Sequence, residues 1–188
     1  FLRKAIEIKP DISSTYSNLA VILRNLGKLE EAENFLRKAI EIKPDFAMAY
    51  SNLGNVLKDL GKLEEAENFQ RRAIEIDSKL ATAYFNLGLI LKDLGKLEEA
   101  ENSLRKAIDL KQDFVIAYLN LGNTLKDLGK LEEAENFLRK AITLNPNLAR
   151  AYYSLSTLKI STEGFLFYKY FFSKDILNKK NDEEKIDI

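Results

Sequence analysis

The string LKDLGKLEEAEN occurs unchanged at 57–68, 91–102 and 125–136, and a near copy, LRNLGKLEEAEN, occupies 23–34. The copies begin at Leu23, Leu57, Leu91 and Leu125, a period of 34 residues. Self-similarity at a fixed period of this size restricts the chain to stacked supersecondary units. Each unit buries its apolar face against its neighbours, so a single globular core is set aside.

Aligned on the period, the full units are 13–46, 47–80, 81–114 and 115–148. Residues 1–12 match the end of a preceding unit and read as the second helix of a truncated repeat. Residues 149–160 match the first helix of a fifth, through Ala151, Tyr152 and Leu155. Beyond them, 161–180 reads as a divergent, aromatic-rich capping helix, because Tyr168 and Asp175 stand where the repeat has small residues. Residues 181–188 read as a polar linker or the start of a helix. Met48 is the only methionine, so the chain reads as a piece of something longer.

Each unit reads as two helices. In 47–80, Tyr50, Leu53, Gly54 and Leu57 form one apolar stripe at helical spacing, and Leu63, Ala66, Phe69, Ala73, Ile74 and Ile76 form another, broken at Gln70. Gly27, Gly61, Gly95 and Gly129 fall between the stripes, where glycine ends a helix in the left-handed conformation without steric cost. Gly54, Gly88 and Gly122 recur inside the first helices. A glycine there costs about 1 kcal/mol against alanine, so its repetition predicts close helix–helix approach. Pro10, Pro44 and Pro146 share one phase between units and stop the second helix. Ser78 and Gln112 take that place in the middle units, which predicts weaker punctuation there. The pairs Glu33–Arg37, Glu67–Arg71, Glu101–Arg105 and Glu135–Arg139 are spaced i, i+4, worth about 0.2–0.5 kcal/mol each, and read as a solvated outer face. Lys58, Lys92 and Lys126 read as solvated helix ends.

This pattern resembles the tetratricopeptide repeat (TPR) family. The residues that carry the resemblance are Tyr16, Tyr50, Tyr84, Tyr118 and Tyr152; Leu19, Leu53, Leu87, Leu121 and Leu155; and the alanines 32, 66, 100, 134 and 39, 73, 107, 141. One departure is that Leu36, Gln70, Leu104 and Leu138 stand where the family favours an aromatic, while the neighbouring position carries Phe35, Phe69 and Phe137. The resemblance covers residues 1–160. It implies an all-α solenoid, a right-handed superhelix of helical hairpins whose first helices line a concave groove. Within the family, the phrase AYSNLG is similar to the superhelix of the O-linked N-acetylglucosamine transferases, where a ladder of asparagines holds a peptide backbone. The matching residues are Asn18, Asn52, Asn86 and Asn120, with Ser154 breaking the series.

The face of the first helix apart from the packing stripe also carries Asn55, Asn123, Asp59, Asp93 and Asp127. An amide holds both a donor and an acceptor, so one Asn can pair with the N–H and C=O of an extended peptide. The competing reading is a common solvated helix residue. Phe85, Leu89, Ile116 and Leu119 form an apolar patch on the same face, read either as a partner site or as filling between units. The Lys and Asn arrangement of chaperone-binding TPR clamps does not recur, since the fifth unit position is never Lys.

The function expected is a protein–protein interaction scaffold for an extended peptide or partner segment. The alternative is a substrate-selecting or targeting arm of a larger glycosyltransferase- or sulfotransferase-like enzyme. Catalysis within the chain has no support: His and Cys are absent, Glu64/Glu65-type pairs point apart on a helix, and there is no phosphate-cradling glycine loop. No cofactor or metal is expected. Lys plus Arg equals Asp plus Glu at 29 each, which argues against nucleic acid. No apolar run reaches the roughly 18 residues of a membrane span, and no signal-peptide pattern is present, so a cytoplasmic location is expected. Residues 1–8 leave Phe1, Leu2 and Ile6 without a partner helix, so this end is expected to fray or to self-associate end to end.

Overall fold

The computed structural model describes residues 13–158. The expectations for residues 1–12, for self-association through 1–8, for a capping helix at 161–180 and for a linker at 181–188 lie outside the described residues. Nine helices lie among the described residues: α1 Ser13–Asn25, α2 Leu29–Ile42, α3 Ala47–Asp59, α4 Leu63–Ile76, α5 Ala81–Asp93, α6 Leu97–Leu110, α7 Val115–Asp127, α8 Leu131–Leu144 and α9 Ala149–Ser156. By its contacts the chain divides into two units, residues 1–117 and 118–188, the division falling inside α7.

Within the first unit the helices pair as α1/α2, α3/α4 and α5/α6, and each second helix packs on the next first helix. The first helices α1, α3 and α5 also touch in succession. In the second unit α8 packs on α9. The fold is an all-α solenoid of helical hairpins.

The turn inside each hairpin is set by its glycine. Gly27, Gly61, Gly95 and Gly129 have φ of 74–76°. In the α3/α4 turn, the Lys62 N–H reaches Leu57 O at 2.9 Å and the Gly61 N–H reaches Lys58 O at 2.9 Å. These two bonds make a Schellman motif, which satisfies carbonyls the helix end would leave orphaned. The same pair recurs at Lys28/Gly27, Lys96/Gly95 and Lys130/Gly129.

Among the described residues the chain makes the same turn between hairpins with or without proline. Phe46 N–H bonds Lys43 O at 3.1 Å around Pro44, Leu80 N–H bonds Asp77 O at 3.2 Å around Ser78, and Phe114 N–H bonds Lys111 O at 3.1 Å around Gln112. The expectation of weaker punctuation in the middle units is corrected. At Ser78 the Asp77 carboxylate accepts the Lys79 N–H at 2.9 Å, an Asx turn that does locally what proline does by its fixed φ.

The mid-helix glycines mark contact. A Cβ at Gly88 would lie 2.7 Å from Leu104 Cγ, one at Gly122 2.7 Å from Leu138 Cγ, and one at Gly54 2.7 Å from Gln70 Nε2. Facing them, Ala66, Ala100 and Ala134 are fully buried. The core runs on between hairpins: Ile90 of α5 joins a cluster that includes Leu23 of α1, Leu36 of α2, Leu57 of α3 and Ala66 of α4. Helix α9 runs Ala149–Ser156, and residues 159–160 of the segment read for it lie outside the described residues. Ser156 Oγ and Thr157 Oγ1 donate back to the carbonyls of Tyr153 and Ser154, both at 2.8 Å, at its end.

Candidate functional face

The packing stripe of each first helix turns Tyr, Leu and the small eighth residue of the repeat into the hairpin and leaves the asparagine of the sixth position at its edge. Asn18 is exposed; Asn52, Asn55, Asn86, Asn120 and Asn123 are half-buried. In the first unit two of these amides are tied to the preceding repeat. Asn52 Nδ2 donates to Ser17 Oγ at 3.0 Å, and Asn86 Nδ2 donates to Ser51 Oγ at 3.3 Å. Both serines are buried at the fifth repeat position, so each fixes an amide of the next first helix. The sequence shows the serines but not this role, because the bond joins residues 35 apart and not 34.

Asn55 is held from below. Gln70, the residue that breaks the α4 stripe, is fully buried, and its Nε2 donates to Asn55 Oδ1 at 3.1 Å and to Ser51 O at 2.9 Å. In the second unit Asn120 O accepts Thr124 Oγ1 at 2.9 Å. Asn123 Oδ1 is buried without a hydrogen-bond partner among the described residues.

The apolar patch does not form as one exposed surface. Leu119 is only 6% exposed and belongs to the core. Phe85 packs its ring on Phe114, centroids 4.8 Å apart, and Leu89 is half-buried. Ile116 alone of the four stands out, at 42% exposed. The reading as filling fits Leu119, which is buried, and Phe85, which is half-buried against Phe114.

The charges of the face are also spoken for. Asp59 accepts Arg24 Nε at 2.6 Å and Asp93 pairs with Lys58 at 3.2 Å, linking successive first helices at their C-terminal ends. Lys58 is therefore an inter-repeat partner and not simply a solvated end.

On the second helices, Glu33 bonds Arg37 at 2.7 Å within α2 and Lys62 at 3.1 Å in the next repeat, while Arg37 reaches Glu65 of α4 at 2.9 Å. Glu67 repeats this with Arg71 at 2.8 Å and Lys96 at 2.7 Å, and Arg71 reaches Glu99 of α6 at 2.7 Å. Two of the pairs read as a solvated outer face, Glu33–Arg37 and Glu67–Arg71, are bridges between repeats, with their glutamates largely covered. Burial pushes the Glu33 and Glu67 carboxyls up, but the hydrogen bonds and charges of their Arg and Lys partners together outweigh it and hold both below the usual carboxylate range.

No group of three or more acidic, His or Cys side chains that could hold a metal occurs among the described residues. No helix among them is long and apolar enough to cross a membrane.

Repeated hairpins of this length, with a glycine turn, small residues at the crossing and first helices in contact, define a helical-repeat protein. The chain belongs to the tetratricopeptide repeat family. Models described as tetratricopeptide repeat match residues 1–34, 45–113 and 115–148, and one described as TPR repeat matches 22–61. Among solved structures it is similar to YrrB, described as a TPR protein with an unusual peptide-binding site. The identity is 24%, the TM-score 0.73, and 97% of each chain is covered. It is also similar to MamA, at 26% identity and TM-score 0.68 over 79% of this chain and 87% of that one. PilF of Pseudomonas aeruginosa matches at 21% identity and TM-score 0.77 over 98% of this chain and 87% of its own. No curated protein matches the chain.

Proposed function

We propose that the chain is a protein-interaction scaffold, and that its first-helix face grips an extended peptide by the backbone. Tetratricopeptide repeats are in general interaction modules and not catalysts, and YrrB, with the same fold, is described as binding peptide. The observation that carries the finer reading is the pair of bonds from Asn52 to Ser17 and from Asn86 to Ser51. An amide pinned through one N–H has less rotamer freedom left to lose on binding. It keeps a carbonyl oxygen and a second N–H, the two complements of a peptide unit. Asn18 extends the row in the first unit and Asn120 continues it in the second, while Asn55 and Asn123, whose carbonyl oxygens are turned inward, offer only their N–H groups. With Leu119 buried and Phe85 packed on Phe114, the patch of four is reduced, and of the apolar side chains left exposed on the first helices, Val21, Met48 and Ile116 lie in separate repeats, so this face favours backbone over sequence.

The test is a pull-down from a random peptide library with wild type and the Asn52→Ala/Asn86→Ala protein at equal folded concentration. Each lost hydrogen bond contributes about 0.5–1.5 kcal/mol. The expected outcome is weaker recovery across unrelated sequences, and identical recovery by the two proteins contradicts the proposal.

A further inference from the structure

Three repeats carry a phenylalanine just before the buried residue at the middle of the second helix, and each ring lies against the tyrosine of its own hairpin. The centroid separations are 5.8 Å for Tyr16–Phe35, 6.0 Å for Tyr50–Phe69 and 6.1 Å for Tyr118–Phe137, with interplanar angles of 33–34°. Phe69 also carries the guanidinium of Arg37, from the preceding repeat, 5.7 Å from its centroid. One tyrosine and one arginine therefore hold a ring between hairpins.

In the repeat 81–114 the ring is missing, because the position is Ser103. Tyr84 and Arg71 stand 34 residues on from Tyr50 and Arg37, and Tyr84 has no ring partner among the described residues. Beside Ser103 there is an open cavity of about 360 Å³, walled by Arg71, Ile74, Tyr84 and Leu87, with Glu75 and Asn102 also on its lining. That is at the small end of the ligand-pocket range of about 300–1,000 Å³. At the position of the missing ring, the Ser103 hydroxyl is already used, since Ser103 Oγ donates to Glu99 O of its own helix at 2.9 Å. Arg71 is fixed in place by Glu67 and Glu99, as Arg37 is by Glu33 and Glu65.

We infer that this cavity is a socket for one aromatic side chain, a phenylalanine or tyrosine presented by a partner protein. The complement is written in the molecule itself. The groups that hold Phe69 recur around the cavity, prearranged, and the ring does not. A tilted ring against Tyr84 and a cation over its face are geometries that favour an aromatic over an aliphatic side chain of similar size. The socket shares no residue with the asparagine row, so it is a second contact independent of the peptide-backbone reading.

Ser103→Phe rebuilds the ring from within and closes the socket. The experiment pans a phage-displayed random heptapeptide library on the wild-type protein and on Ser103→Phe, each shown to be folded by circular dichroism. The expected result is at least tenfold enrichment of Phe- and Tyr-bearing peptides on wild type relative to Ser103→Phe. Each selected peptide then loses tenfold or more in affinity when its aromatic is changed to Leu, and the same aromatic-to-Leu loss is read on the Asn52→Ala/Asn86→Ala protein. Arg71→Gln, which empties one wall without filling the cavity, weakens the same peptides several-fold and serves if Ser103→Phe does not fold. Equal enrichment on the two proteins, no aromatic enrichment on wild type, or indifference to the aromatic-to-Leu change overturns the inference.

Discussion

Gln70 is the residue at which local pattern and packing disagree most. In the sequence it interrupts an apolar stripe at a position that is Leu in the other repeats. In the structure it stays inside, fully buried, opposite Gly54, as Leu104 lies opposite Gly88. Its Nε2 has two acceptors, but its Oε1 is buried with no hydrogen-bond partner among the described residues. An orphaned buried acceptor costs about 1–3 kcal/mol. What the amide gains is a link from the hairpin core to Asn55 on the candidate face. Gln70→Leu is expected to raise stability by about 1 kcal/mol, because Ser51 O lies within the helix ladder and Asn55 can turn to solvent. The chemical denaturation midpoint checks this, and a lower midpoint would mean that the amide holds the crossing together.

The helices and their ends were legible, because the signals that make them are local. A glycine at the left-handed position and an apolar stripe at helical spacing act within a few residues, and α1–α8 follow them. What joins the helices was not legible. The ties between repeats connect residues 28, 29 and 35 apart, as Arg37–Glu65, Lys62–Glu33 and Asn52–Ser17 show. A period of 34 states which residues are equivalent but not which ones touch. Hence Glu33 and Glu67, read as outer-face partners of their own helix, bridge to the next hairpin, and Leu119, read as either a partner site or filling, is buried.

The bridges have a pH signature. Glu33 and Glu67 have carboxyls lowered in the folded chain, so they contribute stability above the unfolded glutamate value of about 4.3. That contribution is lost as pH falls through the lower folded value. Glu67→Gln is expected to cost about 0.5–1 kcal/mol at pH 7, discounted because its partners are largely exposed. The gap between variant and wild type should close toward pH 3 in denaturation midpoints taken across the acid range. Parallel curves would show that Glu67 adds nothing through its charge.

At the scale of the whole molecule, each hairpin is completed by its neighbours, and stability is close to a sum of nearest-neighbour terms. Such an array repeats one surface along its length, so a residue placed once per repeat becomes a row. Here the row is asparagine, and the serine before it in the preceding repeat sets the amide's direction in two places. The candidate row itself was readable, because it obeys the period. Its orientation was not, because that depends on the packing of successive first helices. The central claim is that this row reads peptide backbone. The most direct measurement is calorimetric titration of one library-selected peptide in three forms: native, sequence-scrambled, and N-methylated at alternate backbone amides. The account predicts that scrambling changes affinity by only a few-fold. It predicts that N-methylation, which removes the N–H groups the amide oxygens would accept, lowers it by about tenfold or more, at roughly 1.4 kcal/mol per factor of ten. Loss on scrambling with no loss on N-methylation would contradict it.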